Sequence, residues 1–314
     1  MSKIKNYLSL IKFSHTIFAM PFALIGFFLP IKCVEIVYGV EQWNLSKTVG
    51  WDVTNRNLNS EAWKEVRLKF FLVILCMIFA RSAAMAFNRY LDRQFDAKNP
   101  RTAIREIPAG VISANNALLF TVLSSLLFIA CTFFINRLCF YLSPVALAVV
   151  LGYSYTKRFT PLCHLILGLG LSLAPIGAYL AVTGQFSLLP VIFSLAVLFW
   201  VSGFDIIYAL QDEEFDKSQQ LYSIPAWLGK AKGLRISELL HVLSAAAIVL
   251  AGWYGKFGWL YWTGTAVFIG MLVYQHSVVK PNDLRKINLA FMTANGIASV
   301  VFAIFVIADL FINS

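Results

Sequence analysis

Charge is what this sequence has least of. Lys, Arg, Asp and Glu make up 13% of its 314 residues, about half of the roughly 25% found in ordinary soluble domains. Acids are the scarcer sign, 16 Asp and Glu against 26 Lys and Arg, for a net charge of +10. So little charge, with 59% hydrophobic residues and a mean hydropathy of +0.72, excludes a secreted globular protein and a disordered chain. Cysteine is sparse too. Cys33, Cys76, Cys131, Cys139 and Cys163 are odd in number, and most sit in apolar runs without CxxC or His spacing. A disulfide framework is therefore excluded, and helix packing is their expected role. An outer-membrane barrel is disfavoured because its strands would alternate polar and apolar residues. What remains is an all-α, polytopic membrane protein.

A helix needs about 20 apolar residues to cross a bilayer. Nine stretches qualify, at roughly 13–31, 68–87, 116–136, 138–155, 162–182, 187–209, 236–254, 258–277 and 289–312. They predict a single domain over 1–314, with nine spans around a central cavity and one polar insertion at 33–67. Lys3, Lys5 and Lys12 ahead of the first apolar run imitate a signal peptide, but no convincing small-residue cleavage site follows. An uncleaved first span is expected. Counting Arg81 with the loop after the second span, 18 of the 26 basic residues fall on the side of the N-terminus and even-numbered loops. The N-terminus is accordingly expected in the cytoplasm, in an inner membrane. The positive surplus suits anionic lipid or a phosphate substrate, and no basic patch stands apart from the membrane to bind nucleic acid.

The few acids bunch. Asn88, Asp92 and Asp96 are four apart; Asp205, Tyr208, Asp212 and Asp216 follow spacings of three and four. Each set forms a stripe on one helix face where an apolar span ends. Asp92-Arg-Gln-Phe-Asp96 and Asp212-Glu-Glu-Phe-Asp216 share the pattern D-x-x-F-D. Their helices are four spans apart in order, so they run in the same direction and can face each other across one cavity. Gathered carboxylates must protonate or recruit a cation, and oxygen-only ligands suit Mg²⁺, which keeps waters and takes phosphate oxygens. Arg93, Lys98, Arg101, Arg105, Lys157, Arg158 and Lys217 interleave with these acids. Divalent metal beside Arg and Lys is chemistry for holding a diphosphate.

Taken together, these residues resemble the UbiA superfamily of intramembrane prenyltransferases. Asn88-x-x-x-Asp92-x-x-x-Asp96, Arg101-Thr102, Arg105 and Pro108-x-Gly110 look like its first signature. Asp205-x-x-Tyr208-Ala-x-x-Asp212-x-x-x-Asp216 looks like its second, and Tyr153-x-x-x-Lys157 like a shorter third. The resemblance covers nearly the whole chain except 33–67. It implies a polyprenyl diphosphate donor, an aromatic acceptor and Mg²⁺. Asp92, Asp96, Asp212 and Asp216 would then bind metal. Asn88, Arg93, Arg101, Arg105, Tyr153 and Arg158 would bind substrate, with Arg158 a candidate for an acceptor carboxylate. Asp205, Tyr208 and Lys157 would be catalytic, Asp205 orienting the acceptor or taking its phenolic proton.

Two departures from the family pattern bear on the acceptor. Glu106 follows Arg105 and the proline comes at Pro108, and Arg89 stands where many members have an aspartate. Ile11-Lys12-Phe13-Ser14-His15-Thr16 and the Arg105–Gly110 run look most like the 4-hydroxybenzoate polyprenyltransferase branch. A menaquinone precursor is the alternative acceptor, and haem or chlorophyll prenylation a third. A proton-coupled transporter is the rival from another class, but it would carry its acids near the midplane rather than at helix ends beside basic loops. His15, His164, His241 and His276 are dispersed, and packing or interface hydrogen bonding is their expected role.

Overall fold

The computed structural model describes residues 3–11, 19–30 and 60–313. These form α1 (Lys3–Leu10), α2 (Met20–Phe28), α3 (Ser60–Lys98), α4 (Ala114–Ile135), α5 (Arg137–Thr156), α6 (Cys163–Thr183) and α7 (Leu188–Ala209). A 3₁₀ turn (Leu210–Asp212) leads to the short α8 (Glu213–Ser218) and α9 (Ile224–Leu228), then α10 (Lys230–Tyr254) and α11 (Trp259–Val278). A π-helical turn (Leu289–Ala294) runs into α12 (Asn295–Ile312). Among the described residues there is no strand, only one isolated bridge between Lys280 and Asp283.

Polar residues mark the helix boundaries. Ser113 caps α4 by accepting from the Asn116 amide at 3.2 Å. Asn136 ends α4 and begins α5: its Oδ1 accepts from the Cys139 amide at 2.8 Å, and its Nδ2 donates to Leu180 O on α6 at 2.8 Å. One side chain thus satisfies a helix start and fixes the neighbouring helix. Gly184 closes α6 in the left-handed region, at φ 66°, where glycine carries no Cβ penalty.

The core lies where α7 is sandwiched between α6 and α10, with α2, α11 and α12 adding Phe22, Phe268 and Phe302 around the fully buried Trp200. The helices approach closely through small residues, as membrane bundles do. At Gly26, where α2 crosses α6, a Cβ would stand 2.0 Å from the Pro175 carbonyl oxygen, so only glycine permits that approach.

Seven helices of the described residues are long and apolar enough to cross a membrane. The sequence predicts nine spans. The predicted 258–277 span is the 20-residue α11, whose hydropathy is lowered by Trp, Tyr, Thr, Gln and His. The first predicted span is represented by α2 alone, since residues 12–18 lie outside the described set. The 33–67 insertion also lies outside it up to residue 59, and from Ser60 onward it is the start of α3 rather than a loop. At 39 residues, α3 spans roughly 58 Å at about 1.5 Å per residue, well beyond a bilayer core. Its final turns carry the first acidic stripe.

Candidate active site

The two stripes differ in local structure despite their shared D-x-x-F-D pattern. Asn88, Asp92 and Asp96 lie on the uninterrupted α3, and Asn88 Nδ2 donates to Asp92 Oδ2 at 3.1 Å. The second stripe is not one helix face as the spacing predicts. The Leu210 amide bonds to Ile207 O, three residues back, and this tightening into 3₁₀ geometry turns Asp212 relative to Asp205 and Tyr208.

Each of the four motif aspartates faces a cation. Arg158 Nη2 donates to Asp92 Oδ1 at 3.0 Å, and the same guanidinium holds Leu91 O and Ser154 O. Arg105 Nη1 donates to Asp96 Oδ1 at 2.6 Å, with Arg89 Nη1 4.0 Å from Asp96 Oδ2. Arg101 grips Asp212 through Nε at 3.1 Å and Nη2 at 2.5 Å, and Asn99 Nδ2 adds a third donor at 3.2 Å. Lys157 Nζ stands 2.7 Å from Asp216 Oδ1, while Ser223 Oγ donates to Asp216 Oδ2 at 2.9 Å. Asn99 and Arg101 follow the first stripe yet bind the second, so the two stripes are joined directly. Arg101 also donates to Tyr208 Oη at 3.0 Å, and Phe291 of the π-helical turn packs on the Tyr208 ring at 4.4 Å.

These pairings set the charge states outside the spans. Desolvation alone would pull the Lys157 ammonium down, but Asp216 outweighs it and holds Lys157 above its ordinary value. The Arg101 guanidinium is likewise raised, because Asp212 and Tyr208 overcome its desolvation.

Beside the stripes, α3, α4, α5 and α6 enclose an apolar cavity of about 400 Å³. Val73, Met77, Phe128, Leu142, Leu171 and Ala178 are among its walls, and Phe186 and Cys139 lie toward the helix ends opposite the stripes. Toward the stripes it is lined by Tyr153, one turn before Lys157, and by Arg81, seven residues before Asn88. Arg81 was counted above with the loop charges; it is instead inside the span. Its Nε is buried without a hydrogen-bond partner, and among the described residues no carboxylate pairs with it. Asp205, about a quarter exposed, accepts from His164 Nδ1 at 2.7 Å.

Residues 58–297 match the UbiA prenyltransferase family. The 4-hydroxybenzoate octaprenyltransferase of Tolumonas auensis is 31% identical over 71% of this chain and 78% of its own. The chain belongs to the UbiA prenyltransferase family. Its fold agrees with the apo structure of a UbiA homologue from Aeropyrum pernix K1, at a TM-score of 0.73 and 26% identity, covering 95% of this chain and 98% of that one. A UbiA homologue from Archaeoglobus fulgidus, bound to GPP and Mg²⁺, shares the fold at a TM-score of 0.63 and 20% identity, covering 98% of this chain and all of that one. The protein is thus a prenyltransferase of the membrane.

Within this UbiA fold the expected residues fall into four contact groups: Asn88, Asp92 and Arg158; Asp96 and Arg105; Arg101, Tyr208 and Asp212; and Lys157 and Asp216. Tyr153 lines the cavity below them. Arg93 is not drawn in: Nη1 donates to Tyr90 O at 2.6 Å, and its guanidinium lies over the Tyr90 ring. Arg89, noted as a departure, supplies a buried charge beside Asp96. Glu106, the other departure, accepts from Ser9 Oγ and ties the first-stripe loop to α1. Spacing overlooked Asn99, Ser223 and Arg81. A basic residue inside an apolar run was the available signal for Arg81, since such a residue is costly unless used.

Proposed function

We propose that the protein transfers a polyprenyl group from a polyprenyl diphosphate to an aromatic acid, 4-hydroxybenzoate, in respiratory quinone biosynthesis. The observation that carries this is a juxtaposition: a cluster of acids and cations lies at one end of an apolar cavity whose wall holds the half-buried Arg81, with its Nε buried and without a hydrogen-bond partner. The cluster suits a diphosphate, the cavity a prenyl chain, and Arg81 a carboxylate.

The residues fit Mg²⁺ in donor chemistry. Each stripe offers a buried carboxylate oxygen with few competitors: Asp96 Oδ2 accepts no hydrogen bond, and Asp216 Oδ1 meets only the Lys157 ammonium, at 2.7 Å. Among the described residues no three acidic, His or Cys side chains gather to enclose an ion. That suits an ion that completes its shell with water and phosphate oxygens. When bound, Mg²⁺ would draw charge off the diphosphate. Arg101, Arg105 and Lys157 then neutralise the departing oxygens, and the dry cavity keeps water from the allylic cation. Arg158 is committed to Asp92, Leu91 O and Ser154 O, which leaves Arg81 as the cation for the acceptor's carboxylate. Asp205 orients the hydroxyl and takes its proton as the ring attacks. The stripes mark the cytoplasmic side by the excess of basic residues there.

The test is an assay of purified protein in detergent with a set of aromatic acids and isoprenyl diphosphates, with and without Mg²⁺. Prenylated 4-hydroxybenzoate formed only with divalent metal is expected. Exclusive turnover of an acceptor lacking a carboxylate would overturn the assignment.

A further inference from the structure

We propose that His164 is a positioning residue for Asp205, locked in a single tautomer by the backbone that follows the second stripe. The proposal rests on Asp205 handling the acceptor hydroxyl, as above. His164 lies in the first turn of α6 and is 3% exposed. Its Nε2 is 3.3 Å from the Ile224 backbone nitrogen, and a backbone N–H can only donate. Nε2 is therefore the acceptor, the imidazole is neutral, and its proton sits on Nδ1. That proton is donated to Asp205 Oδ2 at 2.7 Å. Asp205 Oδ1 accepts no hydrogen bond from the described residues, and it is the oxygen left for the substrate.

The lock is itself anchored at the diphosphate end. Ser223, the residue before Ile224, donates to Asp216 Oδ2 at 2.9 Å and accepts from the Ala226 amide at 3.2 Å. The Tyr222 amide donates to Lys157 O at 2.7 Å. A short path thus runs from Lys157 and Asp216 through the Ser223–Ile224 backbone to His164 and Asp205. His164 aims Asp205 and leaves it anionic. When the phenol O–H breaks, the proton goes to Asp205 Oδ1, and His164 keeps its own. The tautomer matters because the Nε2–H form would clash with the Ile224 N–H and present a lone pair to the carboxylate.

The test combines kinetics with a measurement that needs no turnover. His164→Phe should lower kcat for the aromatic acid by roughly 10- to 100-fold, the worth of one hydrogen bond to a charged group, with KM for the prenyl diphosphate unchanged. His164→Asn, whose amide nitrogen replaces Nδ1, should restore kcat to within a few fold of the parent. Adding His164→Phe to Asp205→Asn should lower kcat no further than Asp205→Asn alone. In full-length protein labelled with ¹⁵N-histidine, the resonance absent from His164→Asn should show protonated Nδ1 and bare Nε2, and Asp205→Asn should shift it. Parental kcat in His164→Phe, or protonated Nε2, would overturn the proposal while an active parent enzyme leaves the acceptor assignment standing. A parent enzyme inactive on every aromatic acid would overturn the acceptor assignment first, and the role of His164 with it.

Discussion

Replacing Arg81 with leucine should weaken acceptor binding and strengthen the fold. The side chain lines an apolar cavity, its Nε has no partner, and among the described residues no acid offsets its charge. If the acceptor's carboxylate pairs with it, losing the cation strands a buried anion. Removing one partner of a buried charged pair costs about 2–5 kcal/mol, and the lower limit alone raises KM for the aromatic acid by about 30-fold. Stability should move the other way. An arginine deep in a span is disfavoured by about 2.5–3.5 kcal/mol on insertion scales; because Arg81 is only half-buried, about 1 kcal/mol of stabilisation is the expected share. Initial rates over a range of aromatic acid, and thermal unfolding in detergent without substrate, measure the two effects. A phenol without the carboxylate is the control, and its KM should not change. Unchanged KM for the acid, or an equal rise for the control phenol, would refute the pairing; a lower melting temperature would refute the claim that Arg81 is unpaid for in the free protein.

Asp96→Ala and Asp216→Ala each remove a buried carboxylate from one stripe, and each should lower turnover on the order of 10²-fold, a loss of roughly 2.7 kcal/mol; full activity in EDTA would sink the metal assignment. In a background without native cysteines, Ser113→Cys and Gln219→Cys should react with an impermeant thiol reagent only from the cytoplasm, and Asn55→Cys only from outside, with reversed labelling overturning the topology. Lys157 is held above its ordinary value by Asp216, so its stabilising charge is complete below the normal lysine range and is lost only as pH rises past the raised value. The melting temperature should therefore show no Lys157-dependent fall between about pH 7 and pH 10, and a fall in that interval absent from Lys157→Met would contradict the sign.

The legible part of this protein was the part that repeats at helical spacing. Asn88, Asp92 and Asp96 could be placed on one face because α3 is regular through them. The second stripe was less legible, since nothing in Leu210-Gln-Asp212 announces that the helix tightens there. Contacts that reach across sequence were beyond spacing altogether: Asn99 and Arg101 bind an acid more than 110 residues away, and His164 is tied to Asp205 and Ile224. Arg158 shows the same limit in reverse. Its sequence position beside the third motif suggested a free cation, whereas folding brings it onto Asp92 and two backbone carbonyls. Spacing reports which side chains share a face, but partner choice is decided by which faces meet.

The charges that meet here also explain why so many cations accompany so few acids. Arg89, Arg101, Arg105, Lys157 and Arg158 surround Asp92, Asp96, Asp212 and Asp216, one positive charge in excess. In the free protein each carboxylate is thereby paired, as burial at a membrane boundary demands. A diphosphate ester brings about three negative charges, and one Mg²⁺ with the surplus cation would balance them. The same arginines and lysine can therefore serve two anionic partners in turn, the aspartates before binding and the phosphate oxygens after it. A cluster of four aspartates without its cations would repel itself and the substrate alike; a cluster of cations without the aspartates would hold diphosphate but have no ligands for the metal. The interleaving of the two signs is what lets one site stay folded when empty and stay neutral when full.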